Sequence, residues 1–316
     1  MSGTSRISLV FWTYNQEKFV AEALRSLLSQ ECDDCEVIIS DDCSTDQTPM
    51  IIRDAIENYQ GVKNIKVLQN AKNLGISGNL NRAVEASVGD IIVPFAGDDV
   101  ALPGRAREAV KAFELDGTTF SVSFQNQPIN DEGVYLENRF TFEQYRSFTL
   151  EEFLQHGAEA QKIMQLCGCT RAYKREVFTA FPPLNPECAW EDDPLLLRSL
   201  MLGRTAQIPK VVLKRRYHSE NNSGQKARAR VRFSSVVKQV ESDSNVATQQ
   251  EIISRRDRDN IVHMIKQREL IYLLYQSLVY KRTVDATLLK RVLLSSGYSL
   301  REKVGLFRRW ALRRPV

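Results

Sequence analysis

The sequence predicts an α/β protein built on a mostly parallel sheet flanked by helices. Three observations carry this. Short apolar runs of strand length alternate with helical periodicities across the first hundred residues. Each of those strands is followed by a polar cluster. The composition, 43% hydrophobic and 26% charged over 316 residues, is that of a folded globular chain long enough to bury a large core.

The elements follow in order. Residues 7–11 read as a buried strand. Residues 17–30 read as a helix with Phe19, Val20, Ala23, Leu24, Leu27 and Leu28 on one face. Residues 36–40 form a second strand. The turn at Ser44-Thr45-Asp46 opens a helix over 48–59. Residues 65–68 are a third strand, 77–87 a third helix and 90–95 a fourth strand. Alternation at this spacing implies parallel strands joined by right-handed crossovers. Further on, the pattern predicts a helix over 105–115, a strand over 120–124, an aromatic loop-rich stretch over 127–150 and a helix beginning at 149. An amphipathic helix over 194–202 and a strand over 211–213 follow. From 226 onward the chain reads as helical, most clearly over 261–279.

Composition narrows the function. No run approaches the roughly 18 apolar residues of a membrane span. The first six residues lack the apolar core of a signal peptide, so a cytoplasmic location is expected. Six cysteines are present, and Cys32 and Cys35 have the CxxC spacing of zinc or redox sites. No second pair supports a zinc knuckle, so reduced thiols are expected. The net charge is +4, yet residues 301–316 carry six basic side chains against one acid, which leaves the other 300 residues at −1. A basic tail on a neutral body argues against a nucleic-acid partner, whose binders carry positive charge over a folded face.

The chemistry concentrates after the strands. Thr13-Tyr14-Asn15, Asp41-Asp42, the stretch Asn70 to Asn73, and Asp98-Asp99 all fall at the same edge of a parallel sheet, where open α/β sheets hold ligands. Adjacent carboxylates at a strand end repel each other and lose hydration unless a cation compensates. Hard oxygen ligands suit Mg²⁺ or Mn²⁺, and a metal held by so few carboxylates usually also binds phosphate. The bland alternative for Asp98 or Asp99 is a helix N-cap, and for Asp42 an Asx-turn acceptor.

Taken together, the ordered motifs resemble family 2 glycosyltransferases, which have a GT-A fold, over roughly residues 6–220. The motifs are Leu9-Val10-Phe11-Trp12-Thr13-Tyr14-Asn15-Gln16-Glu17, Val37-Ile38-Ile39-Ser40-Asp41-Asp42-Cys43-Ser44, Asn73-Leu74-Gly75, Gly89-Asp90, Ala96-Gly97-Asp98-Asp99 and Trp190-Glu191-Asp192-Asp193. The resemblance implies a nucleotide-binding half over about 1–103, an acceptor half over about 104–225, and a helical region over 226–316 ending in a basic amphipathic tail. It implies a metal-dependent inverting transferase that moves a hexosyl or N-acetylhexosaminyl group. The donor would be a nucleotide-diphosphate sugar, with UDP favoured, and the acceptor a glycan or lipid-linked hydroxyl of a bacterial surface polysaccharide such as an O-antigen.

It also implies roles. Thr13, Asn15 and Glu17 border the nucleotide. Asp42 or Asp41 accepts from the base. Asn73 and Gly75 let backbone approach the nucleotide. Asp98 bonds the ribose while Asp99 holds Mn²⁺ or Mg²⁺, with Asp98 and His218 as further metal ligands. Arg215 or Arg216 neutralises phosphate. The segment at Gly168 lines the donor-sugar pocket. Asp192 is the general base that takes the acceptor proton, and Glu191 orients a hydroxyl. Trp190 either stacks on a sugar or sits in the core. One departure stands out: many relatives have an acid where this chain has Ala96, which reduces the carboxylates available to a metal. Two other classes remain, a sugar-nucleotide-binding protein without catalysis and a nucleotidyltransferase. The tail over 300–316 interleaves Phe307 and Trp310 with arginines, a pattern that fits peripheral contact with the inner membrane face.

Overall fold

The computed structural model describes residues 6–32, 34–138, 141–155, 168–221, 231–279 and 290–291. The basic tail over 300–316 lies outside the described residues. The first four strands are β1 (Ile7–Thr13), β2 (Cys35–Asp41), β3 (Asn64–Gln69) and β4 (Ile91–Ala96), with α1 (Val20–Leu28), α2 (Thr48–Glu57) and α3 (Gly75–Glu85) between them. Then come β5 (Val100–Ala101), α4 (Arg105–Leu115), β6 (Thr119–Ile129), β7 (Arg146–Phe148) and α5 (Leu150–Gln155). A 3₁₀ turn over Gly168–Thr170 leads into β8 (Arg171–Lys174), α6 (Glu176–Thr179), α7 (Asp192–Leu202) and β9 (Arg204–Arg216). Two long helices, α8 (Phe233–Gln249) and α9 (Arg255–Val279), follow.

The sheet order is β3-β2-β1-β4-β8-β6-β9-β5, with β7 on β9. The β1, β2, β3 and β4 pairings are parallel, as the alternation predicts. Register explains why the polar clusters converge. Thr13 pairs with Asp41, Asp41 with Gln69, and Trp12 with Ala96, so all four strands deliver their trailing residues to one edge. β8 was not foreseen. It runs antiparallel between β4 and β6 and carries the 3₁₀ turn to the same edge. The two-residue β5 pairs antiparallel with β9, setting Val100 opposite Lys214. That pairing carries Asp98-Asp99 beside Arg215, Arg216 and His218.

Both faces of β1, β2 and β4 are covered, so these strands are almost wholly buried, while the edge strand β3 stays largely exposed. Leu9 and Phe11 face one core with Val20, Leu24, Leu27, Ile39 and Ala109, while Val10 and Ile38 face another with Leu80, Val177 and Leu195. A third core joins Leu197 and Leu200 of α7 to Val236, Val240, Ile261 and Ile265 of α8 and α9. The C-terminal helices are thereby built into the body of the protein along α7. No described helix is long and apolar enough to cross a membrane.

One sequence expectation is corrected here. Cys32 and Cys35 are not reduced thiols but are joined by a disulfide across the α1–β2 connection, where the turn brings their Cα atoms to 5.7 Å, inside the bridging range.

Candidate active site

The loop after β1 and the loop after β2 are stitched together by side chains. The Ser44 Oγ accepts from the Asn15 N–H at 2.9 Å, and Asn15 Oδ1 accepts from the Thr45 N–H at 2.8 Å. Glu17 N–H donates to Asp46, while Glu17 Oε2 accepts from the Gln47 N–H. Asn15 adopts a left-handed φ of 51° to make this turn, a conformation Asn tolerates better than most residues. The Thr13 Oγ1–H donates to Gln16 Oε1 at 2.8 Å. Gly97 sits directly on this pair: a Cβ there would lie 2.6 Å from Thr13 Oγ1 and 2.2 Å from Gln16 Oε1. Thr13, Asn15 and Glu17 therefore build a fixed rim around the strand ends.

Asp41 and Asp42 are both buried and both employed. Asp41 closes the turn at Ser44, accepting from its N–H and Oγ–H. Asp42 accepts from Asn70 Nδ2, the Leu74 N–H and the Gly75 N–H at 2.8, 2.8 and 2.9 Å. Asn73 Oδ1 also accepts from Gly75, whose φ of 73° suits glycine. The Asx-turn weighed for Asp42 is not formed: its donors come from the loop after β3, and it is Asp41 that closes a local turn, at Ser44. Three of the roughly four acceptor positions of Asp42 are taken, which leaves one for a donor on a ligand.

The N-cap alternative for Asp98-Asp99 does not hold, because Gly104 caps α4 with no side-chain bond. Asp98 Oδ2 instead meets His218 Nε2 at 3.0 Å and accepts from Asn221 Nδ2 at 2.9 Å. Asp99, 8% exposed, accepts the Arg216 N–H at 2.9 Å and a hydrogen bond from the Cys169 thiol. Burial, reinforced by the charge of Asp98, pushes Asp99 up to about 7. The His218 ring packs on Phe19 with centroids 4.6 Å apart.

Arg216 is placed differently from a phosphate ligand. Its buried guanidinium donates to the carbonyls of Asp98, Asn130 and Asp131 and pairs with Glu22. Every face is committed, so it braces the acid pair against the β6 hairpin and α1. Arg215 lies over the Tyr217 ring, 4.9 Å from its centroid, close enough for its charge to act on Asp99.

The second acid group is brought in by α7. Pro182 to Trp190 is held on α3 and α8 by reciprocal bonds between Asn81 and Leu184, and by Ser77 to Cys188 and Ser235 to Ala189. Glu191 then stands at the N-cap of α7, with Asp192 and Asp193 in its first turn. Asp192 Oδ1 is buried without a hydrogen-bond donor among the described residues, a costly arrangement that functional sites retain. Its carboxylate lies against Gly168: a Cβ on that residue would be 1.4 Å from Oδ1. Burial, then the neighbouring Asp192 charge, holds Glu191 well above the usual carboxylate range.

The 3₁₀ turn joins the two acid groups. Gly168 touches Asp192 and the next residue, Cys169, bonds Asp99. Adjacent Cα atoms are ~3.8 Å apart, so Asp99 and Asp192 are held against neighbouring residues of one turn. Sequence reasoning missed two buried arginines beside this turn and a half-buried one on the acid segment. Arg105 donates to the carbonyls of Pro94 and Cys169 at 2.7 and 2.5 Å. Arg171 donates to the Asp192 carbonyl at 2.9 Å and to Ser123 at 3.2 Å. Arg268 pairs with Asp193. A lone arginine in an apolar helix face, as at Arg105, was the available signal.

No three His, Cys, Asp or Glu side chains among the described residues converge as a ready-made metal cage. The donor chemistry nonetheless fits a hard divalent cation. Two acidic side chains and an imidazole lie side by side, and burial, then the charge of Asp98, raises Asp99, a cost that a bound cation would relieve.

The family model described as glycosyl transferase family 2 matches residues 8–181. EpsE of Bacillus subtilis (strain 168), named as a glycosyltransferase, is 33% identical over 114 residues, 36% of this chain and 40% of that protein. The chondroitin synthase of Escherichia coli is 26% identical over 218 residues, 69% of this chain and 30% of that enzyme. This chain thus spans less than half the length of these two relatives. Among solved structures, Staphylococcus aureus TarS 1–349 in complex with UDP-GlcNAc aligns over 97% of this chain and 92% of its own, at TM-score 0.58 and 16% identity. The Pyrobaculum calidifontis mannosyltransferase PcManGT, in complex with GDP-Man and Mn²⁺, aligns over 99% and 84% at TM-score 0.58 and 18% identity. These likenesses give the fold, GT-A. With its strand-end acids, its turn at Gly168 and its sequence match over more than half its length, the chain belongs to glycosyl transferase family 2.

Proposed function

We propose that this chain is a metal-dependent, inverting glycosyltransferase that moves a sugar from a nucleotide-diphosphate donor to a hydroxyl of a glycan or lipid-linked acceptor. One observation carries the reading: an acid pair at the β4 end and Asp192, whose Oδ1 is buried without a donor among the described residues, stand against the same three-residue turn. A UDP-N-acetylhexosamine is the donor the comparisons favour, since TarS is named a poly(ribitol-phosphate) β-N-acetylglucosaminyltransferase and was solved with UDP-GlcNAc. The GDP-Man complex of PcManGT marks the guanine nucleotide as the alternative to screen.

In this reading the rim formed by Thr13, Asn15 and Glu17 borders the nucleotide, and the remaining acceptor position of Asp42 takes the base N–H. The left-handed Gly75 and Asn73 keep the loop low enough for backbone approach. Asp98 bonds the ribose. Asp99 and Asp98, with His218, would hold Mn²⁺ or Mg²⁺, which when bound supplies positive charge against the diphosphate leaving group. Arg215 adds charge at the same edge, and Arg216 keeps the pair in place. On the opposite side Asp192 accepts the proton of the acceptor hydroxyl as that oxygen attacks the anomeric carbon. Glu191, whose carboxyl is pushed up by desolvation and then by the Asp192 charge, orients the acceptor or the sugar.

The test is nucleoside diphosphate release from a panel of UDP- and GDP-sugars with Mn²⁺ and a saccharide acceptor set, with Asp192→Asn as control. Turnover that depends on metal and is lost in the variant supports the assignment. Unchanged turnover in Asp192→Asn removes the base, and nucleotide binding without turnover on any donor removes the transferase reading.

A further inference from the structure

The acid turn is gripped from both ends by the two C-terminal helices. Just before Glu191, the Trp190 ring sits edge-on to Phe233 of α8 at 5.8 Å and to Tyr272 of α9 at 5.1 Å, and these two rings stack on each other at 5.2 Å. Trp190 is therefore packed against the helical core. Just after Asp192, the Asp193 carboxylate, 2% exposed, receives both arms of Arg268 from α9. Nε donates to Oδ2 at 3.1 Å and Nη2 to Oδ1 at 3.2 Å. Further along α7, buried Arg198 makes the same two-pronged contact with Asp243 of α8 at 2.7 and 2.8 Å. A forked pair of this kind fixes orientation as well as separation.

We propose that Arg268 is a positioning residue for the transfer reaction: through Asp193 it sets where the Asp192 carboxylate stands. The proposal rests on the reading of Asp192 as base. Asp192 itself has no donor on Oδ1 among the described residues, so its place is set by its neighbours in the chain and by Arg171, which holds its carbonyl. Asp193 is the adjacent residue and the one whose side chain is bound rigidly. Release of Asp193 frees the first turn of α7 to rotate, and displacements near 1 Å at a reacting group are enough to cost ~10²-fold in rate. The helices α8 and α9, which lie beyond the matched residues 8–181, thereby become part of the catalytic apparatus without touching substrate.

The experiment uses the full chain and the nucleotide sugar that the wild type turns over fastest. Arg268→Gln, Arg268→Lys, Asp193→Asn and the double variant Arg268→Met/Asp193→Asn are compared for kcat, donor KM, the pH profile of kcat and melting temperature. Each is assayed well below its own melting midpoint. Arg268→Gln is expected to lose ~10–100-fold in kcat with donor KM within about twofold, and its acid limb moves to higher pH because an uncompensated Asp193 charge remains beside the base. Arg268→Lys recovers part of the rate. The double variant leaves no buried charge unpaired, so its melting temperature returns toward wild type while kcat stays low. Recovery of kcat together with melting temperature in the double variant overturns the proposal, as does wild-type kcat in Arg268→Gln. Asp192→Asn run in parallel separates the two readings. If it stays active, the base assignment falls. If it is inactive while the Arg268 variants match wild type, only the positioning role falls.

Discussion

The contact between Gly168 and Asp192 gives the sharpest test of the site. A Cβ on Gly168 would stand 1.4 Å from Asp192 Oδ1, 2.4 Å from Cγ and 3.0 Å from Oδ2. Restoring an ordinary separation requires the carboxylate to retreat by about 2 Å, since contacts below 3.0 Å are essentially never seen for real Cβ atoms. The fold tolerates this. Gly168 is not among the residues of positive φ, so alanine can adopt its backbone and even gains ~0.4–1 kcal/mol from a less free unfolded chain. The Asp192 carboxylate is a side-chain end that can swing aside. The stability change of Gly168→Ala is therefore expected within about 1 kcal/mol. Activity is another matter. A 1 Å misplacement costs ~10²-fold, and full loss of a general base costs ~10²–10⁴-fold. The predicted fall in kcat is ~10²–10³-fold, or about 2.7–4 kcal/mol of transition-state stabilisation. Nucleotide affinity, set on the far side of the turn, should stay within about threefold. Nucleoside diphosphate release gives kcat, and calorimetric titration of the diphosphate gives affinity. The decisive arm is Gly168→Ala on an Asp192→Asn background, where a shared route makes the two losses non-additive. Wild-type kcat in the single variant would refute the argument, and so would full additivity in the double.

Further outcomes follow from the same geometry. Asp99→Asn should abolish stimulation by Mn²⁺ while leaving the fold intact, read by titrating Mn²⁺ into assays of both proteins; equal stimulation would disqualify Asp99 as a ligand. Without metal, stability should fall as pH rises from 5 to 8. Asp99, held up at about 7 by burial and Asp98, takes up a proton on folding that an unfolded Asp lacks above pH ~4, so its contribution is complete below that and is lost through 7. The size is on the order of 2–4 kcal/mol, Glu191 and Asp193 act with the same sign, and saturating Mn²⁺ should flatten the curve; a melting midpoint that rises over this window contradicts it. Arg198→Met should cost ~3–5 kcal/mol because Asp243 is left buried and unpaired, and the double variant with Asp243→Leu should recover most of the loss in denaturant midpoint. Arg216→Met should loosen the acid pair, lowering metal affinity while nucleotide base recognition at Asp42 persists; unchanged Mn²⁺ affinity would show that its bracing is idle.

The parallel half of the fold was legible because its signals are local. Runs such as Val37-Ile38-Ile39 and the helix face of Leu24, Leu27 and Leu28 announce burial by composition and period alone. β1 and β2 outran their apolar cores by one or two polar residues, to Thr13 and Asp41, since strand pairing continues where side chains turn polar. The convergence at one edge was legible for the same reason: parallel register leaves little choice about where trailing residues go.

What escaped was everything decided by partners distant in sequence. β8 is four residues, Arg-Ala-Tyr-Lys, with no strand signature of its own, and its pairing with β4 and β6 creates it. β5 exists only because β9 passes beside it. Arg171 and Arg268 carry no sign of their roles in the sequence, because each is explained only by the group that meets it: a carboxylate 75 residues away for Arg268 and a backbone carbonyl for Arg171. The same limit explains Arg216. Its placement beside a predicted strand end suggested a phosphate ligand, whereas the hairpin carbonyls at Asn130 and Asp131 and the carboxylate of Glu22 claim its donors. An arginine's function is fixed by where its five donors go, and that is a property of the folded chain. The acids could be read as a site from their spacing because like charges placed together demand an explanation. The cations that hold them could not, because paired opposite charges leave no such demand in the sequence.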